Sequence, residues 1–359
     1  MGIWLRSFIP VSTMKNKTWA KLLLAGLFPL LCAFLGLSLG SSSLPFFQSL
    51  GKLLQGDVSS PETRILLYVR LPRVCASLLA GAALAVSGVL IQAALGNPLA
   101  APNVIGVNAG AGFFTFLSMA LLPASRWASS LGAFLGALLA TLVIYAVAAA
   151  AGAGKLTIIL AGVAVSSIFT AGINTVKTFF PDTLYNGGTF LIGGFSGVSL
   201  KDITPAWGLI LTALLLALLL ARQTDVLCLG EETARSLGLP VREVRFGLIL
   251  TACVLAGCAV SFSGLLSFVG LIVPHIARRL FGSSHRVLCA ASCFLGAGFV
   301  ALCDLLSRVL FAPYEIPVGI LLSLLGGPFF LFLLLRGRKR GYSLQKEKAS
   351  SGREGGSSL

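Results

Sequence analysis

Ten long apolar runs divide this chain, at residues 22–39, 74–94, 104–122, 129–151, 156–179, 206–221, 246–262, 265–280, 287–310 and 317–335. About 20 apolar residues coiled as an α-helix match the thickness of a bilayer's hydrocarbon core. Inside lipid every backbone N–H and C=O needs a partner within the protein, which leaves helices or closed barrels as the spanning structures. The runs predict an all-α integral membrane protein with ten transmembrane helices, the third and eighth being the weakest of the ten. Composition agrees: 56% of residues are hydrophobic and 11% charged, against about a quarter charged in a soluble domain.

The formal net charge of +15 would suggest nucleic acid in a soluble protein. Here the positions of the charges exclude that reading. Arg6, Lys15, Lys17 and Lys21 precede the first run, and seven Lys/Arg follow the last, from Arg336 to Arg353. Basic residues flanking spans follow the positive-inside rule. With ten crossings both termini share one side, and 19 of the 27 basic residues then fall on that side, which sets it as the cytoplasm. The expected organisation is a cytoplasmic tail at 1–21, a transmembrane domain at 22–335 and a basic cytoplasmic tail at 336–359.

The first run follows basic residues, as a signal peptide would. It is long for one and no clear A-x-A site follows, so it reads as an uncleaved first helix. Breaks at Gly96-Asn97-Pro98 and Val273-Pro274 leave backbone groups unpaired, tolerable only beneath protein or beside a water-filled cavity; they suggest a solute pathway. Gly132, Gly136 and Ala140 form a small-residue ridge for close helix packing. The eight cysteines fall mostly in apolar runs, lack a C-x-x-C pair and read as small packing residues rather than metal ligands.

One long polar interruption, 222–243, lies between the sixth and seventh runs. Within it 231–237 has helix-starting chemistry, with Glu231 and Glu232 in the first turn where the helix dipole favours negative charge. Gly238 and Pro240 then stop it. Ala234 and Leu237 are expected to share one face of this short helix. A defined helix between two turns suits a docking element on the cytoplasmic side.

The chain has no G-x-x-x-x-G-K-[ST], so it should not bind ATP through a P-loop. Ionisable residues within the runs are few. Asp304 and Arg308, four apart, can pair near the outer end of the ninth. A proton-driven carrier usually shows acids or histidines near the midplane, and this scarcity favours an external energy source.

Four blocks, in order, carry a resemblance. They are Arg70-Leu71-Pro72-Arg73 through Gly81–Gly88, Gln92, Asn97-Pro98-Leu99-Ala100 and Gly106-Val107; then Leu229-Gly230-Glu231-Glu232 to Leu237-Gly238; then 268–278 with Pro274-His275; and last Asp304 and Arg308, Glu315-Ile316-Pro317-Val318-Gly319 and Gly326-Gly327-Pro328. Together they resemble the FecCD permeases of ABC importers, which carry iron-siderophores, haem and cobalamin, over about residues 60–336.

The resemblance implies a ten-helix type II importer permease in a bacterial inner membrane. It would pair with a second copy or a homologous permease, with two cytoplasmic ATPase subunits below and a substrate-binding protein above. The chain itself would hold no cofactor; ATP and Mg would be used by the ATPases. Arg70, Arg73 and Arg308 match external arginines that meet acidic residues of the binding protein. Gly230, Glu231, Glu232, Ala234, Arg235, Leu237 and Gly238 match the segment that couples to the ATPase. Asn97, Pro98 and Leu99 match part of a cytoplasmic gate. Gly154-Lys155-Leu156-Thr157 stands where the cobalamin permease has small hydroxyl residues, which leaves the other gate element unassigned. An iron-siderophore is the expected cargo, with haem or cobalamin as alternatives. From a different class, an ion-driven carrier stays open.

Overall fold

The structure, a computed structural model, describes residues 16–40, 45–125, 127–152 and 154–335. The calls on Arg6, Lys15 and the basic tail 336–359 lie outside the described residues. Regular structure among the described residues is helical: α1 (Asn16–Ser38), α2 (Phe46–Leu54), α3 (Pro61–Ile65), a π turn (Leu66–Arg70), α4 (Leu71–Leu95), a 3₁₀ turn (Pro102–Ile105), α5 (Val107–Leu121), α6 (Ala128–Ala150), α7 (Lys155–Phe179), α8 (Thr183–Ile192), α9 (Leu200–Leu227), α10 (Glu231–Ser236), α11 (Val241–Ser263), α12 (Val269–Phe281), α13 (His285–Val309) and α14 (Val318–Leu335). The ten apolar runs coincide with α1, α4, α5, α6, α7, α9, α11, α12, α13 and α14.

Among the described residues, eight helices are long and apolar enough to cross a membrane. The other two are α5, with 15 residues, and α12, with 13. At 1.5 Å per residue they rise only about 22 and 20 Å, short of a hydrocarbon core of about 30 Å. The expected count of ten crossings is therefore not met by helix length. In the eighth run the shortfall has a local cause. The chain leaves α11 at Gly264 (φ +67) and stays non-helical until Phe268 (φ +66), with α12 beginning only at Val269. This stretch is tied to other protein rather than left open: Leu265 N–H donates to Phe190 O at 2.9 Å and Gly194 N–H to Ser263 O at 2.8 Å. Such irregular backbone is compatible with a bilayer only when covered in this way.

The bundle is built around α4, α11 and α13. The most apolar stretch of α4 is 83% buried, against 17% for α1 and 28% for α7, α9 and α14. Without a hydrophobic force between helices in lipid, close approach depends on small residues. A Cβ at Gly81 would overlap the Gly296 carbonyl of α13, and one at Gly88 would overlap the Gly270 carbonyl of α12. The ridge on α6 behaves as expected: Gly136 and Ala140 meet Gly110, and Gly132 meets Phe114 and Ser118, all on α5. Polar side chains add links across the same seams. Ser87 Oγ–H donates to Ala252 O at 2.6 Å, and Gln92 Nε2 to Gly270 O at 3.2 Å.

Within the polar interruption 222–243, α9 continues to Leu227 and α11 starts at Val241, so the connection between the two helices is 228–240. Polar residues such as Arg222 and Asp225 extend α9 past the apolar run because helix hydrogen bonding continues beyond the last apolar side chain.

Candidate functional site

Two charged clusters sit at opposite ends of the bundle. The first gathers the start of α4, the end of α13 and the following turn. Arg73 lies between two carboxylates, with Nε 3.0 Å from Asp304 Oδ1 and Nη1 2.6 Å from Glu315 Oε2. Arg308 Nη2 lies 3.2 Å from Asp304 Oδ2, an ion pair without hydrogen-bond alignment. Arg70 donates from Nη1 to the carbonyls of Leu37 and Ser38, each at 2.8 Å, closing the end of α1 onto α4. Asp304 is 1% exposed, so its charge needs both guanidinium partners.

Arg70, Arg73 and Arg308, which match external arginines that meet a binding protein, are all buried and engaged within the chain. The cause is the partner set: a guanidinium that can reach a buried carboxylate or terminal helix carbonyls loses less by turning inward than by facing lipid headgroups. The Asp304–Arg308 pairing read from i,i+4 spacing is present. The longer link to Arg73, 231 residues away in sequence, carries no local signature.

Beside this cluster lies a cavity of ≈ 520 Å³, lined among others by Arg73, Thr189, Phe190, Ser196, Ser261 and Glu315. Helix α8 and the turn after it form one wall, held by Gly319 N–H donating to Gly193 O at 3.1 Å.

The second cluster is at the other end. Helix α10 forms where the acids and Gly238 predicted it, and Gly238 (φ +79) reverses the chain so that Leu239 N–H reaches Ala234 O at 3.0 Å. The expected shared face is not observed. Ala234 is fully buried, whereas Leu237 is 64% exposed. Leu237 is the C-cap, already past the last helical turn, and helical spacing no longer sets its direction.

Glu231 also turns inward. Its carboxylate contacts the Arg245 guanidinium, lies 3.7 Å from Lys155 Nζ and 3.8 Å from Arg235 Nη2. Partial burial works against ionisation, but Arg245, Lys155 and Arg235 outweigh it and hold the Glu231 carboxyl below the usual carboxylate range. Arg245, itself buried, donates from Nε to Ala94 O at 3.1 Å. That carbonyl belongs to the last turn of α4, immediately before Gly96 (φ +58), where Asn97 N–H returns to Gln92 O at 3.0 Å. Asn97 Oδ1 accepts from Leu99 N–H at 2.9 Å, shaping the turn that holds Pro98. A Cβ at Gly96 would stand 2.8 Å from Lys155 Nζ. The turn at 96–99 and the start of α7 at 154–157, unassigned from sequence, are therefore neighbours. Glu232, Arg235, Leu237 and Gly238 remain exposed on the outer side of α10.

Between the two ends, α7 carries a polar stripe. Ser167, Thr170, Asn174 and Thr178 are exposed and recur at the spacing of one helical face. Ser167, Thr170 and Asn174 line a groove of ≈ 720 Å³, with Asn103, Gly162 and Ser166 also among its lining. The hydroxyls of Thr170 and Thr178 donate to the carbonyls of Ser166 and Asn174 at 2.8 and 2.9 Å. Sequence reading missed the stripe; the i, i+3, i+7, i+11 spacing of hydroxyl and amide residues within an apolar run was the available signal.

The comparisons with known proteins converge. The chain matches the FecCD transport family over residues 27–336. It is 37% identical over 307 residues to the Fe(3+)-citrate import system permease protein of Bacillus subtilis, covering 85% of this chain and 91% of that protein. It is 35% identical to the hemin transport system permease protein of Yersinia pestis, covering 91% and 99%. It is 38% identical to the vitamin B12 import system permease protein of Vibrio vulnificus, covering 90% and 96%. Among solved structures, an ABC transporter described as of metal-chelate type, in an inward-facing conformation, superposes with a TM-score of 0.78 at 27% identity, covering 88% of this chain and 99% of that one. A match over nearly the whole length, with the all-helical bundle and the charged clusters at its two ends, places this chain in the FecCD transport family.

Proposed function

We propose that this chain is the permease subunit of a binding-protein-dependent ABC importer, carrying an iron-siderophore or similar metal chelate into the cytoplasm with ATP hydrolysed by partner subunits. The observation that carries the reading is the polar stripe of α7. A row of exposed Ser, Thr and Asn on a membrane helix suits a second permease or an aqueous path rather than lipid. Two copies, or this chain and a homologous permease, would bring such faces together around one pathway. Chelates present many hydrogen-bonding groups, which hydroxyls and amides meet without fixing the cargo by charge. The relatives' cargoes support this class, and haem or cobalamin remains the second reading.

Connectivity supports ten crossings despite the two short helices. The ends of α4 and α6 and the start of α7 lie by the Glu231 cluster, so α5 must carry the chain to the opposite end. Likewise α11 ends by the outer cavity and α13 begins at Asp225 of α9, where His285 N–H donates to Asp225 Oδ1 at 2.9 Å. Residues 264–281 would then return across the bilayer. Basic-residue placement supports both termini, and α10, on the cytoplasmic side.

The ATPase would rest against Leu229, Glu232, Ser236 and Leu237, which include two exposed leucines on a connection outside the membrane. The binding protein would dock on the outer rim that Arg70, Arg73 and Arg308 hold in shape. Co-expression with an ABC ATPase and a binding protein from the same organism tests the reading. The expected result is a detergent-stable complex whose ATPase subunits are lost on replacing Leu229 and Leu237 together by Asp. Retention of the ATPase by that variant, or no complex with the unaltered chain, would remove the assignment.

A further inference from the structure

The structure assigns Glu231 to a role inside the permease: we infer that it is an ionic link tying the movement of α10 to both segments of the cytoplasmic gate. The inference rests on the importer reading and deepens it. A residue that only touched an ATPase would point outward with Glu232 and Leu237. Glu231 instead faces three cations held on three elements, Arg245 on α11, Lys155 at the start of α7 and Arg235 on α10 itself. Two of these lead directly to the gate. Arg245 is buried and anchored to the Ala94 carbonyl, three residues before Asn97. Lys155 belongs to the 154–157 segment and its ammonium abuts Gly96.

Around these ion pairs α10 has little else to grip. A cleft of ≈ 140 Å³ lies between it and the ends of α6, α7 and α11, with Tyr145, Gly152, Glu231, Arg235, Arg242 and Arg245 among its lining. Ala234 supplies the buried apolar contact, with no side chain beyond its methyl group. A displaced α10 must therefore either drag Arg245 and Lys155 with it or break ion pairs that are partly shielded from water. Either way the gate segments sense its position, and the ion pairs are the physical carrier of the coupling. Glu231 is a positioning residue here; it need not touch cargo or nucleotide.

The test uses the whole complex in proteoliposomes, with ATP hydrolysis and uptake followed together for ferric citrate, a ferric hydroxamate, haemin and cyanocobalamin. Glu231→Gln keeps the side-chain size and removes the charge. The expected outcome is retained ATPase subunits, hydrolysis within about twofold of the unaltered complex, and cargo carried per ATP reduced by at least about fivefold, the lower range of allosteric coupling. Glu231→Asp should restore part of that ratio, and Lys155→Gln should lower it by a smaller factor. Loss of the ATPase subunits from the Gln variant would return Glu231 to the docking face, and an unchanged ratio would overturn the link. Should the Gln variant fail to accumulate, Lys155→Gln, on a side chain more than a third exposed, decides alone, an unchanged ratio again overturning the proposal. An unaltered complex that imports none of the four probes under ATP would instead sink the importer reading, and this inference with it.

Discussion

Asp304→Asn should destabilise the folded chain strongly although it changes the side chain little in shape. The carboxylate is 1% exposed and lies between Arg73 at 3.0 Å and Arg308 at 3.2 Å. Taking about 4 Å between charge centres and an effective dielectric of 20, each pair supplies about 4 kcal/mol. Two pairs supply about 8 kcal/mol, from which burial of the ions subtracts several. Asn preserves shape and leaves the backbone carbonyl of residue 304 to accept from Arg308 Nε. It removes the carboxylate paired with Arg308, while Arg73 keeps Glu315. Breaking a buried pair from one side costs about 3–5 kcal/mol, and that is the expected loss. Equilibrium unfolding in mixed micelles, titrated with SDS and followed by tryptophan fluorescence, measures it. Arg308→Gln in the same chain should recover part of the loss, giving a coupling energy of about 1–3 kcal/mol. A loss under about 1 kcal/mol together with no coupling would refute a charge-balanced buried cluster.

Three further outcomes are expected. Gly88→Val should prevent stable folding, because its side chain would occupy the Gly270 carbonyl, while Gly208→Ala, with open space around it, should be neutral or gain up to about 1 kcal/mol; SDS titration of both separates packing from helix propensity. Cys228 is the one exposed cysteine, with Cys75 and Cys293 half-buried. A membrane-impermeant maleimide should label it in inside-out vesicles and not in right-side-out ones, and the reverse pattern would invert the topology. The Glu231 carboxyl titrates below its ordinary value of 4.5. Its contribution to holding α10 is therefore complete above about pH 4.5 and lost as pH falls through the lower folded value; hydrogen exchange of 231–238 should stay protected from neutral pH down to that range, and Glu231→Gln should abolish the acid-dependent part.

Much of the bundle was readable because lipid imposes a length and a polarity on every crossing. Those constraints act locally, so apolar runs located ten helices and the small-residue ridge of α6 found its partner on α5. What stayed hidden depends on contacts distant in sequence. Helix α8 has only ten residues and lies against the 264–268 stretch, a pairing that no periodicity announces. The direction of Arg73 is set by Asp304 and Glu315, both more than 230 positions away. The π turn at Leu66–Arg70 adds a residue to the helical register, which shifts the faces on which the residues before it lie relative to α4. At α10 the acids correctly announced a helix start, but the same chemistry suits a docking acid and an internal ion pair equally. Arg245, 14 residues on, decides between them.

The most direct measurement is uptake into proteoliposomes with ATP, ATPase subunits, binding protein and ion gradients supplied separately. Import of a ferric chelate should require ATP, the ATPase and the binding protein together, and should be unaffected by collapsing the proton or sodium gradient. Gradient-driven uptake by this chain alone would contradict it.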